Sequence, residues 1–118
     1  MSTHGEHIYK ITTTALWQRA LKDGTLPPSP VDQADGFMHF STASQLRETL
    51  RLHFAGQTGL ILLVIAVDRL PLALKWEPSR GGDLFPHLYA PLECSAVLAS
   101  HPISVDAAGQ ADLPGELA

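Results

Sequence analysis

Five polar or aromatic side chains interrupt short apolar segments, where packing alone does not call for them. They are Lys10, His39, Glu77, His87 and Tyr89. A lysine donates hydrogen bonds, a histidine exchanges protons near neutral pH, and a fixed carboxylate stabilises developing positive charge. The set could therefore bind a small polar ligand and act on it. The spacing of the five residues matches no recognised metal or nucleophile motif.

These residues also have purely structural interpretations. His39 could be a buried imidazole that is only hydrogen-bonded, and Tyr89 and Trp76 could be half-buried core aromatics. His39, His87 and Glu77 could together form a metal site of two histidines and a carboxylate. Metal ligands are usually closer together in sequence, so we expect no metal.

The loop Arg80–Asp83 contains two glycines and a guanidinium. Backbone amides and an arginine in such a loop can approach an anionic group of a ligand. Glycine pairs serve ordinary hairpin turns just as often. Both interpretations stay open at this point.

Composition narrows the class of protein. The 118 residues are 45% hydrophobic and 17% charged, which is typical of one folded domain spanning residues 1–118. The net charge is −4 and the basic residues are scattered singly, which argues against nucleic-acid binding. The longest apolar run, Leu60–Val67, is too short to cross a bilayer. The single cysteine, Cys94, cannot form an internal disulfide, and we expect a cytoplasmic protein with no membrane association.

The first half of the chain predicts strands alternating with helices. Ile8–Thr12 alternates as a strand, and the threonines after it cap a helix that runs to about Asp23. The proline-rich segment 26–30 predicts an extended connection. Gly36–Ser41 alternates as a second strand, with His39 on one face. Thr42 has the spacing of a capping box, and it starts a helix that we expect to end at Gly56.

The second half predicts mainly strands. The β-branched run 60–67 is typical of a central strand that is buried on both faces. A strand follows over residues 72–77 and should stop at Pro78, and the segment 85–91 between two prolines should be irregular. Residues 95–105 predict an edge strand interrupted at Pro102. We expect residues 107–118 to form a loosely held tail. Strands clustered late in the chain favour an α+β domain.

Five motifs carry a resemblance to a known family. The succession I-Y-K-I-T, A-L-W, D-G-F-M-H-F-S-T, L-K-W-E-P and L-F-P-H-L-Y-A-P-L resembles the bacterial family called domain of unknown function 952 over about residues 7–98. The resemblance implies a fold like that of the ADP-ribosyltransferases, which is a small split β-sheet core with two helices. It also implies NAD as a substrate rather than as a bound cofactor.

The resemblance assigns roles to individual residues. It makes His39 and Glu77 the catalytic pair, with Glu93 as a second choice of late carboxylate, and it places Lys10 where many relatives have histidine. We expect His39 and His87 to face one cavity. The expected ligand-binding residues are Lys10, Ser41, Trp76, Arg80, His87 and Tyr89.

Two functions remain open on this basis. One is an enzyme that transfers ADP-ribose from NAD or cleaves NAD. The alternative is a non-enzymatic module of the same fold that binds a nucleotide or another small molecule. A structural or oligomerising domain, with no ligand and an apolar exposed face, is a third interpretation.

Overall fold

The computed structural model describes residues 6–71, 73–79 and 82–114. No helix in these ranges is both long enough and apolar enough to cross a membrane. The strands are β1 (His7–Thr13), β2 (Thr25–Leu26), β3 (Met38–His39), β4 (Leu60–Ala66), β5 (Leu74–Ser79), β6 (Asp83–Leu88), β7 (Leu92–Glu93) and β8 (Val97–Ile103). The α-helices are α1 (Thr14–Asp23), α2 (Pro30–Asp35) and α3 (Ala43–His53).

The strands form three antiparallel sheets, with the orders β1-β4-β8, β3-β6-β5 and β2-β7. This arrangement confirms the α+β class. The expectation of two helices is wrong, because the described chain contains the third helix α2.

Strand β4 is the central strand of a three-stranded sheet, as its sequence predicts. All seven of its residues are buried, and β1 and β8 pair with its two edges. Its side chains alternate between two hydrophobic cores. Ile61, Leu63 and Ile65 belong to one core, and the second core contains Leu60, Leu62 and Val64. Each face of a central strand is thus covered, which explains its continuous apolar sequence.

Helices α1 and α3 begin where their caps predict. The Thr13 side chain accepts from the backbone N–H of Leu16 at 3.2 Å, and Thr42 and Gln45 form a reciprocal capping box. Helix α3 ends at His53 rather than at Gly56, because the N–H of Phe54 makes the last helical bond to Leu50. Gly56 instead serves the following turn with a φ of 78°.

The connection predicted over residues 26–30 is irregular only at residues 27–29, because Leu26 belongs to β2 and the unexpected helix α2 begins at Pro30. The Ser29 hydroxyl accepts from the N–H of Asp32, and the Asp32 carboxylate accepts from the N–H of Ser29. Proline is favourable at a first helical position because its missing N–H has no intrahelical partner.

The sequence predicted that prolines would stop or interrupt the strands in the second half of the chain. In the structure they do not. Strand β5 continues through Pro78 because it is an edge strand, where a ladder donor is dispensable. The segment 85–91, predicted to be irregular, includes most of β6, which is the middle strand of its sheet. Pro86 is tolerated there because β3 ends at His39, and Phe40 needs only the carbonyl of Pro86, at 3.1 Å.

The C-terminal part is better held than predicted. Strand β8 is an edge strand, as expected, but it runs without interruption through Pro102. Val105 pairs with Ala111, and Leu113 packs on the core that contains Leu60. Residues 107–114 are therefore attached to the domain, while 115–118 lie outside the described residues.

Among the residues that the structure describes, a single bridge joins the two three-stranded sheets. The N–H of Tyr9 donates to Ser41 at 2.8 Å, and the N–H of Ser41 donates back to Tyr9 at 2.9 Å. Strand β3 is much shorter than the predicted strand 36–41, so β1 and the segment 38–41 separate beyond this bridge. We call this separation the fork.

Candidate functional site

A cavity of about 580 Å³ opens at the fork. Three of the predicted site residues line it: the expected ligand-binding residues Lys10 and Ser41, and the expected catalytic residue His39. Residues of α2 and α3 contribute further walls, among them Asp32, Asp35 and Thr49. The Ser41 hydroxyl lies 2.9 Å from the Thr49 hydroxyl, which donates to the Gln45 carbonyl. We call this space the fork cavity.

Lys10 is the buried cation of the fork. Its side chain is only 4% exposed, and its Nζ lies 3.0 Å from Asp32 Oδ2 and donates to the His39 carbonyl at 3.0 Å. The Phe40 ring is 5.4 Å from the same nitrogen, which is within the range of a cation–π contact. Burial lowers the pKa of Lys10, and the charge of Asp32 opposes this shift.

Asp32 is the carboxylate that organises the fork. Oδ2 accepts from Lys10 and from the N–H of Ser29, while Oδ1 accepts from the N–H and ring Nδ1 of His39. Burial alone would raise the pKa of Asp32, but the hydrogen bond from His39 and the charge of Lys10 hold it below its usual range. The carboxylate is therefore ionised, and its four acceptor positions are all used.

His39 lies between two carboxylates. Its Nδ1 is 2.7 Å from Asp32 and its Nε2 is 2.8 Å from Asp35. A carboxylate only accepts hydrogen bonds, so both ring nitrogens must carry hydrogen and the ring is an imidazolium. The bond to Asp32 is the main reason that the pKa of His39 is raised, with a smaller contribution from Asp35. Nε2 of His39 can donate to a ligand when the carboxylate of Asp35, at the exposed end of α2, moves away from it.

The fork also exposes backbone hydrogen-bonding groups. In the register set by the Tyr9–Ser41 bridge, the next bonded pair would be Ile11 and His39. His39 has turned away, because its N–H donates to Asp32 and its carbonyl accepts from Lys10. In residues 6–71 and the other described ranges, no backbone group replaces it at the outward N–H and carbonyl of Ile11. Ile11 lines the fork cavity, so these two groups are available to a ligand.

The outer face of the β3-β6-β5 sheet carries a cluster of rings. His39 and His87 are direct partners across β3 and β6, and their ring centroids are 5.6 Å apart. The Phe37 ring lies 4.1 Å from His87, 4.6 Å from His39 and 5.1 Å from Tyr89. The two histidines thus share a face of the sheet, but only His39 lines the fork cavity, so they do not share this cavity as expected.

Glu77 belongs to this cluster and not to the fork cavity. Its Oε1 accepts from the Tyr89 hydroxyl at 2.7 Å and lies 2.9 Å from Nδ1 of His87. The bond from Tyr89 is the first cause of the lowered pKa of Glu77, followed by the bond from His87. The same bond raises the pKa of Tyr89, because it stabilises the protonated phenol. Glu77 is therefore an ionised carboxylate with Oε2 unbonded among the described side chains.

Three other sequence-based candidates do not join these groups. Trp76 pairs with Pro86, so it lies on the sheet face opposite Glu77 and is 38% exposed. Glu93 lies in the small β2–β7 sheet and takes part in none of the hydrogen bonds above. Arg80 lies outside the described residues.

Sequence reasoning missed Asp32, Asp35 and Phe37. The two aspartates belong to α2, which was not predicted. A signal for this helix is present in the sequence, since Ser29 is followed by proline and, three residues later, by an acid. Phe37 has no comparable local signal. Its role depends on contacts with rings of β6 and of the segment that follows β6.

The chain is similar to a protein family and to solved structures of a bacterial protein. A family model described as "Protein of unknown function (DUF952)" matches residues 11–100. The crystal structure of protein CC0527 from Caulobacter crescentus is 44% identical, with a TM-score of 0.87, over 94% of this chain and 97% of that chain. The solution NMR structure of CC0527 is 46% identical, with a TM-score of 0.76, over 87% of this chain and 89% of that chain. A comparison with curated proteins finds no match.

Proposed function

The chain belongs to the DUF952 family, and from the geometry of its fork we propose that it binds a small molecule in the fork cavity. The observation that carries this proposal is the open backbone edge at Ile11, which lines a cavity of about 580 Å³. Unpaired strand-edge groups at a cavity wall favour a ligand that can replace the missing strand partner.

The walls around Ile11 supply further hydrogen-bonding groups. Lys10 and His39 are donors, and both are held in place by Asp32. The Ser41 hydroxyl adds a group from the opposite side of the fork. Such preorganised polar groups reduce the entropy lost on binding. The ligand is therefore expected to be polar at the fork and flat or apolar where it meets Phe40 and Phe85.

NAD is the ligand that we propose to test first. The sequence motifs resemble a family with an ADP-ribosyltransferase-like fold, whose split sheet would correspond to the fork. On this proposal Lys10, His39 and Ser41 contact NAD directly, while His87 and Tyr89 contribute through the neighbouring ring cluster. Since Cys94 is a free thiol, we also propose that the protein works in the cytoplasm.

Titration calorimetry of the whole protein with NAD tests the binding proposal. We expect measurable heat at about 1 mM NAD, and we expect His39→Gln to weaken binding about tenfold by removing the imidazolium donor. His101→Gln on β8 is the matched control and should bind as the wild type does. The absence of heat with NAD, or equal affinity of the two variants, would contradict NAD binding at the fork.

Hydrolysis of NAD by water, which yields nicotinamide and ADP-ribose, is a second candidate function. It requires that the ribose of NAD extend from the fork cavity to Glu77 in the neighbouring ring cluster. An ionised carboxylate fixed by Tyr89 and His87, one ring away from His39, could stabilise the oxocarbenium-like charge that develops on a ribose. Loss of nicotinamide would then depend on Glu77, while NAD binding at the fork would not.

A nicotinamide-release assay separates the enzyme from the binding module. We expect Glu77→Gln to abolish release and to leave the calorimetric affinity for NAD unchanged. The same substitution should lower the pKa of Tyr89 towards its ordinary value, which NMR titration of the phenol ring measures and which shows that the substitution acted locally. Binding without release by the wild type would leave the binding module as the function.

A further inference from the structure

We infer that the fork cavity contains a subsite for an uncharged carbonyl oxygen, formed by the hydroxyl of Thr12 and the ammonium of Lys10. The inference deepens the proposed function, because it names a chemical group that the ligand presents at the fork. Thr12 ends the first of the five motifs, but the resemblance assigns it no role, and the hydrogen bonds that hold the fork together do not use its hydroxyl.

Thr12 carries a buried hydroxyl that lacks a partner. The residue is 4% exposed and lines the fork cavity. None of the hydrogen bonds found among residues 6–71, 73–79 and 82–114 uses its Oγ1. Every side-chain nitrogen or oxygen in those ranges that is completely enclosed does have a partner. The Thr12 hydroxyl must therefore touch the open space of the cavity.

Lys10 lies next to Thr12 on the same face of β1. Lys10 pairs with Leu63 and Thr12 with Ile61, and both β4 partners belong to the same core. An ammonium has three donors, and the bonds to Asp32 and to the His39 carbonyl use two of them. One N–H of Lys10 and the hydroxyl of Thr12 are thus left without a partner among the described residues, and both residues line the fork cavity.

The surrounding charges select an uncharged acceptor. Lys10 and His39 are the cations of the fork, and Asp32 and Asp35 balance them. A carboxylate placed beside Thr12 would add an unbalanced negative charge close to two aspartates. A ketone or amide oxygen can accept from both donors at no such cost. The apolar side chains of Leu16 and Val31 line the same cavity and fit the body of such a ligand.

NMR titration with nicotinamide and nicotinate tests the subsite, because the two compounds share a ring and differ in the charge of the carbonyl group. We expect nicotinamide to shift the resonances of Thr12 and Lys10, and nicotinate to bind at least about threefold more weakly. Thr12→Val should weaken nicotinamide binding about three- to tenfold, while Thr12→Ser should retain it. Thr58→Val, at an exposed position, is the matched control.

Thermal unfolding distinguishes a ligand-binding hydroxyl from a structural one. Because Thr12 has no partner to lose, Thr12→Val should leave the melting temperature unchanged or raise it. A lower melting temperature with unchanged nicotinamide affinity would overturn the inference, as would titrations in which neither compound shifts Thr12 and Lys10. Lys10 is not substituted in this experiment, because its removal would leave the Asp32 carboxylate buried without a counter-ion.

The outcome also separates this inference from the proposed function. If NAD binds and Thr12→Val binds it equally well, the subsite is wrong and binding at the fork stands. If nicotinamide shifts Thr12 while NAD does not bind, the subsite stands and NAD is the wrong ligand.

Discussion

At the scale of single residues, the protonation of His39 is the feature with the clearest consequence. The imidazolium is stabilised by Asp32 and Asp35, so the folded state raises the pKa of His39 above its ordinary value of 6.5. A raised folded-state pKa contributes stability that is fully present below the unfolded pKa. This contribution is lost as the pH rises through the folded-state pKa.

The unfolding free energy should therefore fall as the pH rises from the ordinary pKa of His39, 6.5, through its raised folded-state pKa. Urea denaturation across this range measures the change, and NMR titration of His39 locates its midpoint. Asp32 stays ionised throughout, because its pKa is held below the usual range. In His39→Gln the fall should be smaller. A pH profile that His39→Gln leaves unaltered would contradict the imidazolium assignment.

At the scale of elements, helix α2 positions most of the fork. Its six residues carry both aspartates that contact His39, and its capping box includes the same Asp32 that binds Lys10. Helices this short are not stable by themselves, so α2 depends on its cap and on these tertiary contacts. A substitution that weakens this cap should therefore also alter the structure of the fork.

Ser29→Ala tests this dependence. Loss of the hydroxyl acceptor should lower the unfolding free energy by about 1 kcal/mol. It should also increase amide hydrogen exchange over residues 30–36, because the first turn of α2 is no longer capped. Ser95→Ala, which removes an exposed hydroxyl outside α2, should change neither quantity. Unchanged exchange in Ser29→Ala would show that tertiary contacts alone hold the helix.

At the scale of the whole molecule, the segment after β8 is fastened to α3. Asp106 accepts from the N–H of Gly109 through its carbonyl, and the turn brings Gly109 against Arg51. A Cβ on Gly109 would lie 2.7 Å from the Cα of Arg51, which is too close for any substitution without movement. Gly56 has a similar positive φ but has nothing within 4 Å of such a Cβ.

These two glycines form a matched pair. Gly56→Ala should cost about 1–2 kcal/mol, which is the strain of the left-handed backbone alone. Gly109→Ala should cost at least about 1 kcal/mol more, because the segment must also move away from α3. Chemical denaturation of both variants measures the difference. Equal losses would mean that the segment 106–114 is not packed against α3 as the structure describes.

Local signals in the sequence were sufficient for the elements that depend on neighbouring residues. Thr13 and Thr42 cap α1 and α3, and the apolar run of β4 predicts a strand buried on both faces. Alternation along residues 37–41 predicts that His39 lies on the face opposite Met38. In the structure His39 pairs with His87 of the neighbouring strand on that face. Helix caps and hydrophobic periodicity depend on residues within one or two helical turns or within one strand. They can therefore be recognised in a single sequence.

The tertiary structure decided what the fork contains. Six residues are too few for α2 to show helical periodicity, and the prolines of β5, β6 and β8 are tolerated only because of where those strands lie in their sheets. The counter-ion of Lys10 and the open edge of Ile11 follow from the separation of two strands beyond a single bridge. Such contacts join residues far apart in the chain, and no local pattern of residue types encodes which of them will meet.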